Sequence, residues 1–259
     1  MTQQSIGEIK EIYKSLSAEG YAEFAKTYET DPRAGVVALV KKAEKAIQKL
    51  EAERARIEKM RCFEHRFEEQ YTYICGVDEA GRGPFAGPVV AGAVILPKDT
   101  DILYLNDSKK LSAAKREELF LEIKEKAVAY GVGIVSNERI DEIGVGKADF
   151  EAMRTAIAAL SVPADFALTD AFEIPDLSIP QYPIVKGDAK SVSIAAASII
   201  AKVTRDHIMD EYDAKYPMYG FKEHKGYGTR FHSDMILKYG PCEIHRMSFL
   251  KNLLSQNPQ

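Results

Sequence analysis

Residues 73–97 read YICGVDEAGRGPFAGPVVAGAVILP, an apolar run that meets two adjacent carboxylates and then an arginine between glycines. Tyr73, Ile74, Cys75 and Val77 have the β-branched and aromatic character of a mostly buried strand. Asp78 and Glu79 then fall where that strand leaves the sheet, the place at which α/β proteins gather their chemistry. Gly81 and Gly83 remove side chains on both sides of Arg82, so the backbone there can approach a ligand closely. Pro84, Gly87 and Pro88 fix the turn, and 89–96 reads as a second strand. An Asp-Glu pair before Gly-Arg-Gly is, taken alone, equally the composition of an exposed hairpin turn. The apolar flanks argue for a site.

Working outward, strands and helices alternate from Tyr71 onward. Strands are predicted near 73–78, 89–96, 131–136, 166–170 and 182–185, and helices near 113–129, 147–160, 189–215 and 230–238. That pattern specifies an α/β domain, with a mixed or parallel sheet covered by helices, over residues 71–259. Residues 1–70 differ: they are helical and poor in glycine, a small all-α extension. Ile6, Ile9, Ile12 and Leu16 recur at helical spacing over 5–16, Ser17 opens a second helix, and Asp31 followed by Pro32 caps a long third helix through about Met60. Its segment 41–59, KKAEKAIQKLEAERARIEK, alternates in sign and reads as a solvated face. A docking module for substrate or a partner is the functional alternative.

Of 259 residues, 46% are hydrophobic and 29% charged, enough for one sizeable core and a smaller appendage. The first ten residues lack the apolar stretch of a secretory signal and no run of eighteen apolar residues occurs, so the expected location is the cytoplasm. Three separated cysteines without a CxxC pair give neither a disulfide framework nor a zinc site. A net charge of −4 argues against affinity drawn mainly from a basic surface, although residues 181–259 carry eleven Lys and Arg against eight Asp and Glu.

Other candidates for chemistry lie downstream. Asp170 ends the apolar run 166–169 and would, alone, be a turn residue. Asp188 precedes the helix with the small apolar stripe Val192, Ala195, Ala196, Ile199 and Val203, and would, alone, be a helix N-cap. The segment 220–229, GFKEHKGYGT, combines charge, backbone freedom and an aromatic face suited to sugar and phosphate; its bland reading is a flexible polar loop. Residues 106–112, NDSKKLS, read as a loop ending in an N-cap, Ser112. The histidines show no ligand spacing for zinc, and only His224, inside the 220–229 segment, stands out.

These motifs, in this order, resemble those of type 2 ribonuclease H, the bacterial ribonuclease HII, over about residues 71–250. The resemblance implies the ribonuclease H-like fold, with a central mixed five-stranded sheet and a helical C-terminal part. It further implies an endoribonuclease that cuts on the 5′ side of a ribonucleotide in RNA/DNA hybrids or in duplex DNA, leaving 3′-hydroxyl and 5′-phosphate ends. Asp78, Glu79, Asp170 and Asp188 match the family's four acidic residues. Four converging carboxylates repel by several kcal/mol unless cations neutralise them, and oxygen donors favour Mg²⁺ or Mn²⁺, as two ions about 4 Å apart. By the same resemblance Gly81, Arg82, Gly83 and Tyr227 detect the ribose 2′-hydroxyl. Asp107, Ser108 and Lys109 face the nucleic-acid backbone, and His224 and Lys225 belong to the motif that carries the tyrosine. Type 3 enzymes have serine in place of this arginine and glutamate as the last acid, so Arg82 and Asp188 both point to type 2. The chain is expected to act as a monomer on RNA/DNA hybrid and ribonucleotide-containing duplex, with any protein partner left open.

Overall fold

A computed structural model describes residues 4–255. It divides into two compact units, Met1–Lys59 and Met60–Gln259.

The first unit is helical: α1 (Ile6–Lys14), α2 (Gly20–Tyr28) and most of α3 (Ala34–Met60). Ser5 caps α1 through a reciprocal capping box, its Oγ accepting from Glu8 N at 3.2 Å while Glu8 Oε2 accepts from Ser5 N at 2.7 Å. Ile9, Phe24, Val36, Leu39, Val40 and Ala43 form the core of this unit. Two expected helix starts move. The second helix begins at Gly20, without a side-chain cap, instead of at Ser17. The third begins at Ala34, because the Asp31 carboxylate accepts from the Arg33 amide and guanidinium and is not capping the helix. Lys41, Lys42, Glu44 and Lys45 are exposed, a solvated face.

The second unit contains α4 (Cys62–Phe67), β1 (Ile74–Ala80), β2 (Val89–Ile95), α5 (Ala113–Lys126), β3 (Ala129–Val135), α6 (Asn137–Ile143), α7 (Val145–Ala158), β4 (Phe166–Asp170), β5 (Gln181–Ile184), α8 (Val192–Lys215), α9 (Phe221–His224), α10 (Arg230–Tyr239) and α11 (Met247–Ser255). The strands make one mixed five-stranded sheet in the order β3-β2-β1-β4-β5. β1 pairs antiparallel with β2 and parallel with β4. Alternate residues of β1 and β2, Cys75, Val77, Val89, Ala91, Ala93 and Ile95, pack against Ala148, Ala152, Met153 and Ala156 of α7. The opposite face takes α8, which lies so close that a Cβ on Gly76 would sit 2.0 Å from the Ser193 carbonyl carbon and one on Gly92 2.5 Å from Ala197 O. Glycine is required at both places, and this fixes the height of α8 over the strand that carries the acids.

The second unit begins at Met60, earlier than the change in composition near residue 70. Phe63, Phe67 and Tyr71 cover Ile74, Phe166 and Leu168, with the Phe67 and Phe166 rings 4.5 Å apart. Glu64 Oε1 accepts from Ser191 Oγ at 2.5 Å and from Ser193 N at 3.0 Å, clamping the start of α8. A fragment of residues 71–259 therefore melts several degrees below one of residues 60–259, since it loses two partly buried phenylalanines and the Glu64 bonds to the head of α8. Equal melting curves by circular dichroism would contradict this packing.

Candidate active site

Asp78 and Glu79 are consecutive on β1, so the pleat sends them to opposite faces. The strand runs two residues further than the sequence indicates. Pairing with β4 stops at Val77, but pairing with β2 continues to Ala80. Asp78 thus opens toward Asp170, the last residue of β4, while its backbone stays held. On the α8 face, Ser198 lies within hydrogen-bonding reach of the Asp78 carboxyl and donates to Ser108 Oγ at 2.9 Å. Burial, then the charges of Glu79 and Asp170, push the Asp78 carboxyl well above the usual carboxylate range.

Asp170 is followed by a sharp turn in which Ala171 takes the left-handed φ of 62°. Its Oδ1 accepts from Gly187 N at 2.7 Å, drawing in the turn that carries Asp188. Asp188 lies in a 3₁₀ turn, Gly187–Ala189, and is not the N-cap of the following helix. That task belongs to Ser191, whose Oγ accepts from Ile194 N at 3.2 Å. Relieved of capping, the Asp188 carboxyl is raised by burial and by the charges of Asp107 and Asp170, against the pull of Lys109.

Lys109 is the counter-charge. Burial works against its ammonium, yet Asp78, Asp107, Asp188 and Glu79 together hold it above its ordinary value. Asp107 fixes it in place by accepting from its amide at 2.9 Å, at the head of a 3₁₀ turn containing the buried Ser108. Asp78, Glu79 and Asp188 therefore act on one lysine, and Asp170 acts on Asp78 and Asp188.

Beside them opens a cleft of about 380 Å³ lined by Glu79, Gly81, Arg82, Gly83, Lys109 and Tyr227, among others. The loop on its wall is held from below by two buried arginines. Arg246 donates to Gly81 O at 2.6 Å, Arg82 O at 2.9 Å and Gly87 O at 2.9 Å. Arg205 donates to Pro88 O, Ala86 O and Lys225 O. Burial pulls Arg205 down to about 10 and Arg246 to about 9, so both remain charged at neutral pH. Gly81 has φ 96°, and a Cβ there would meet Arg205 Nε at 2.1 Å, so this wall admits no side chain.

Tyr227 is half exposed, with its ring edge 3.6 Å from where a Gly83 Cβ would be. Its backbone rests on a histidine relay. Tyr227 O is 2.9 Å from His232 Nδ1, which must therefore be the N–H donor. His232 Nε2 then accepts from His245 Nε2, 3.0 Å away, and His245 Nδ1 accepts from Cys242 N at 2.9 Å. Burial lowers both imidazoles to about 4, which keeps them neutral as this pattern requires. His224 has both ring nitrogens engaged with backbone, at Tyr219 O and Gly226 N, and the Lys225 ammonium is paired with Asp210. In this structure both support the loop that presents Tyr227, which is a short helix and a left-handed turn and not the flexible loop of the bland reading.

Four residues at the site were missed by sequence reading: Asp149, Lys202, Arg205 and Arg246. Lys202 lines the cleft and donates to Asp206 Oδ1 at 2.6 Å. Asp149 interrupts the apolar stripe Ala148, Ala152, Met153 and Ala156 of α7, and an acid at such a position was a legible signal. Its Oδ2 lies 3.3 Å from Arg82 Nε, and Arg82 Nη1 lies 3.6 Å from Glu79 Oε1. Burial and Glu79 push the Asp149 carboxyl up to about 8, against Arg82.

The donor set fits a hard divalent cation: all candidate ligands are carboxylate oxygens, and Asp78 is buried beside two further negative charges that a cation would relieve. Among the described residues no group of three or more His, Cys, Asp or Glu side chains is placed to hold a metal ion. Mg²⁺ needs none, since it is usually bound by one or two carboxylates, waters and substrate phosphate. No helix among the described residues is long and apolar enough to cross a membrane.

Residues 75–252 match the family described as Ribonuclease HII, and residues 5–68 match the Ribonuclease HII N-terminal domain. A curated Ribonuclease HII of Clostridioides difficile strain 630 is 53% identical over 255 residues, covering 98% of this chain and all of that protein. Among solved structures, the ribonuclease H2 of Pyrococcus horikoshii OT3 superposes with a TM-score of 0.62 at 27% identity, covering 71% of this chain and 98% of its own. A chain from the PCNA:RNase HII complex of Archaeoglobus fulgidus gives 0.55 at 29% identity, covering 68% and 94%.

Proposed function

The chain belongs to the ribonuclease HII family, a metal-dependent endoribonuclease family, and from that premise we propose that it cuts RNA/DNA hybrids and single ribonucleotides embedded in duplex DNA. The scissile bond is the phosphodiester 5′ to the ribonucleotide, and the products carry 3′-hydroxyl and 5′-phosphate ends. The cellular role is ribonucleotide removal from DNA, in the cytoplasm. The observation that carries this reading is the juxtaposition of interacting carboxylates, Asp78, Glu79, Asp170 and Asp188, with a cleft walled by Gly81, Arg82, Gly83 and Tyr227.

In this reading Asp78, Glu79, Asp170 and Asp188 hold one or two Mg²⁺ or Mn²⁺ ions. When bound, the ions supply an activated water and stabilise the departing oxygen in an in-line displacement at phosphorus. Asp78, where β1 has parted from β4, and Asp170, the last residue of β4, set the floor of the site, and Lys109 offsets part of the charge at Asp78. The positive φ at Gly81 and the lack of a side chain at Gly83 let backbone groups meet a ribose 2′-hydroxyl, the group that distinguishes RNA from DNA. The Tyr227 ring, held by the His232 relay, packs on the sugar at the junction. Lys109 and Arg82, with Asp107 and Ser108 fixing the first, contact backbone phosphate.

A duplex with one ribonucleotide tests the proposal. It is nicked on the 5′ side in Mg²⁺ or Mn²⁺, an all-DNA duplex of the same sequence stays intact, and chelator stops turnover. Equal cutting of both duplexes, or turnover persisting in chelator, would overturn it.

A further inference from the structure

We infer that Asp149 is a positioning residue that holds Arg82 across the mouth of the cleft, so that the arginine meets substrate phosphate in a fixed geometry; this rests on the nuclease reading of the site. Asp149 lies on α7, outside the carboxylate quartet and more than sixty positions from Arg82 in sequence. It is 3% exposed, on the face of the helix that otherwise presents alanine and methionine to the sheet. A lone acid in such a stripe costs desolvation and packs no better than an apolar residue, so it needs a compensating role.

The geometry supplies one. Asp149 Oδ2 meets the Nε edge of Arg82 at 3.3 Å, while Glu79 Oε1 meets Nη1 at 3.6 Å. With five N–H donors, the guanidinium keeps capacity for a phosphate oxygen beyond these two pairs. Arg82 itself is 44% exposed in its side chain and lines the cleft. A long exposed arginine samples many rotamers, and binding phosphate must then order it; a buried carboxyl oxygen at its Nε edge lowers that cost before substrate arrives. The second oxygen, Asp149 Oδ1, is buried with no hydrogen-bond partner among the described residues. Structural acids in cores are normally satisfied at both oxygens, so an acid tolerated with one empty points to selection for what its other oxygen holds. Arg246 fixes the Arg82 carbonyl at 2.9 Å, so backbone and side chain of this residue are restrained from opposite directions.

The test is a double-mutant cycle on the full chain. Affinity for a labelled duplex containing one ribonucleotide is measured in chelator, so that no cleavage intrudes. Asp149→Leu, which removes the acceptor at nearly constant volume, weakens binding about tenfold in the parent. In an Arg82→Ala background the same exchange changes binding less than twofold, because the group that Asp149 positions is gone. Melting temperature of Asp149→Leu stays at or above the parent value, since a buried carboxyl with an unsatisfied oxygen is removed from an apolar stripe. Equal losses of affinity in both backgrounds, or unchanged affinity in the parent, would overturn the inference. Cleavage of the same duplex by the parent in Mn²⁺ judges the nuclease reading separately.

Discussion

Asp188→Asn leaves the protein folded and bound to a duplex containing one ribonucleotide but slows its cleavage at least about a hundredfold. The expectation follows from where Asp188 sits. Its carboxyl caps no helix, since Ser191 takes that role, so the exchange removes no structural hydrogen bond of α8. It stands instead within the field of Asp107, Asp170 and Lys109. The amide keeps the shape and removes one negative charge, which eases the approach of phosphate while removing a ligand oxygen from the set. Single-turnover rates in Mn²⁺, with affinity measured in chelator, separate the two effects. Cleavage within tenfold of the parent would reject the role assigned to Asp188. Ser191→Ala is the contrasting exchange, lowering stability by about 1–3 kcal/mol through loss of the cap and of the bond to Glu64.

Tyr227→Ala lowers kcat/KM on the same duplex by about 10- to 100-fold, the range for losing one aromatic contact to a nucleotide, without shifting the Mn²⁺ concentration for half-maximal rate. Tyr227 carries no carboxylate, and its ring lines the cleft beside the loop 81–83. Its main chain is fixed by His232 Nδ1 at Tyr227 O and by its own amide donating to His224 O at 2.9 Å, so truncating the ring leaves the loop in place. Tyr227→Phe, which keeps the ring, retains most activity. A parallel loss in Tyr227→Phe and Tyr227→Ala would assign the effect to the hydroxyl, and a changed metal requirement would place the residue in the wrong part of the site.

Much of the architecture was legible in single segments. The strand at 166–170 and the helix after Ser112 coincide with β4 and α5 at their starts, because alternation and a capping serine act over a few residues. Caps went astray where a competing partner was close at hand. Asp31 was drawn off by Arg33 two positions away, and Asp188 yielded the cap to Ser191, which stands immediately before the first helical residue. Asp78 and Glu79 stood out because they follow an apolar strand, whereas Asp170 and Asp188 joined them only through the family resemblance; the mutual influence of the four was not legible, since it depends on β1 lying beside β4 and on the Asp170 bond to Gly187.

The sequence by itself determined the alternation of strands and helices, the acid pair that follows the apolar run of β1 and the glycines flanking Arg82. These are set by side-chain periodicity and backbone stereochemistry, forces that reach only a few residues. Tertiary structure decided which charged groups brace the site. Arg246 reaches Gly81 across 165 positions, Glu64 grips the head of α8, and Asp149 meets Arg82 from a helix that otherwise reads as plain core. A buried ion or donor takes whichever partner packing brings within about 3 Å, and that partner is chosen by the assembly of the sheet and its covering helices, not by neighbours along the chain.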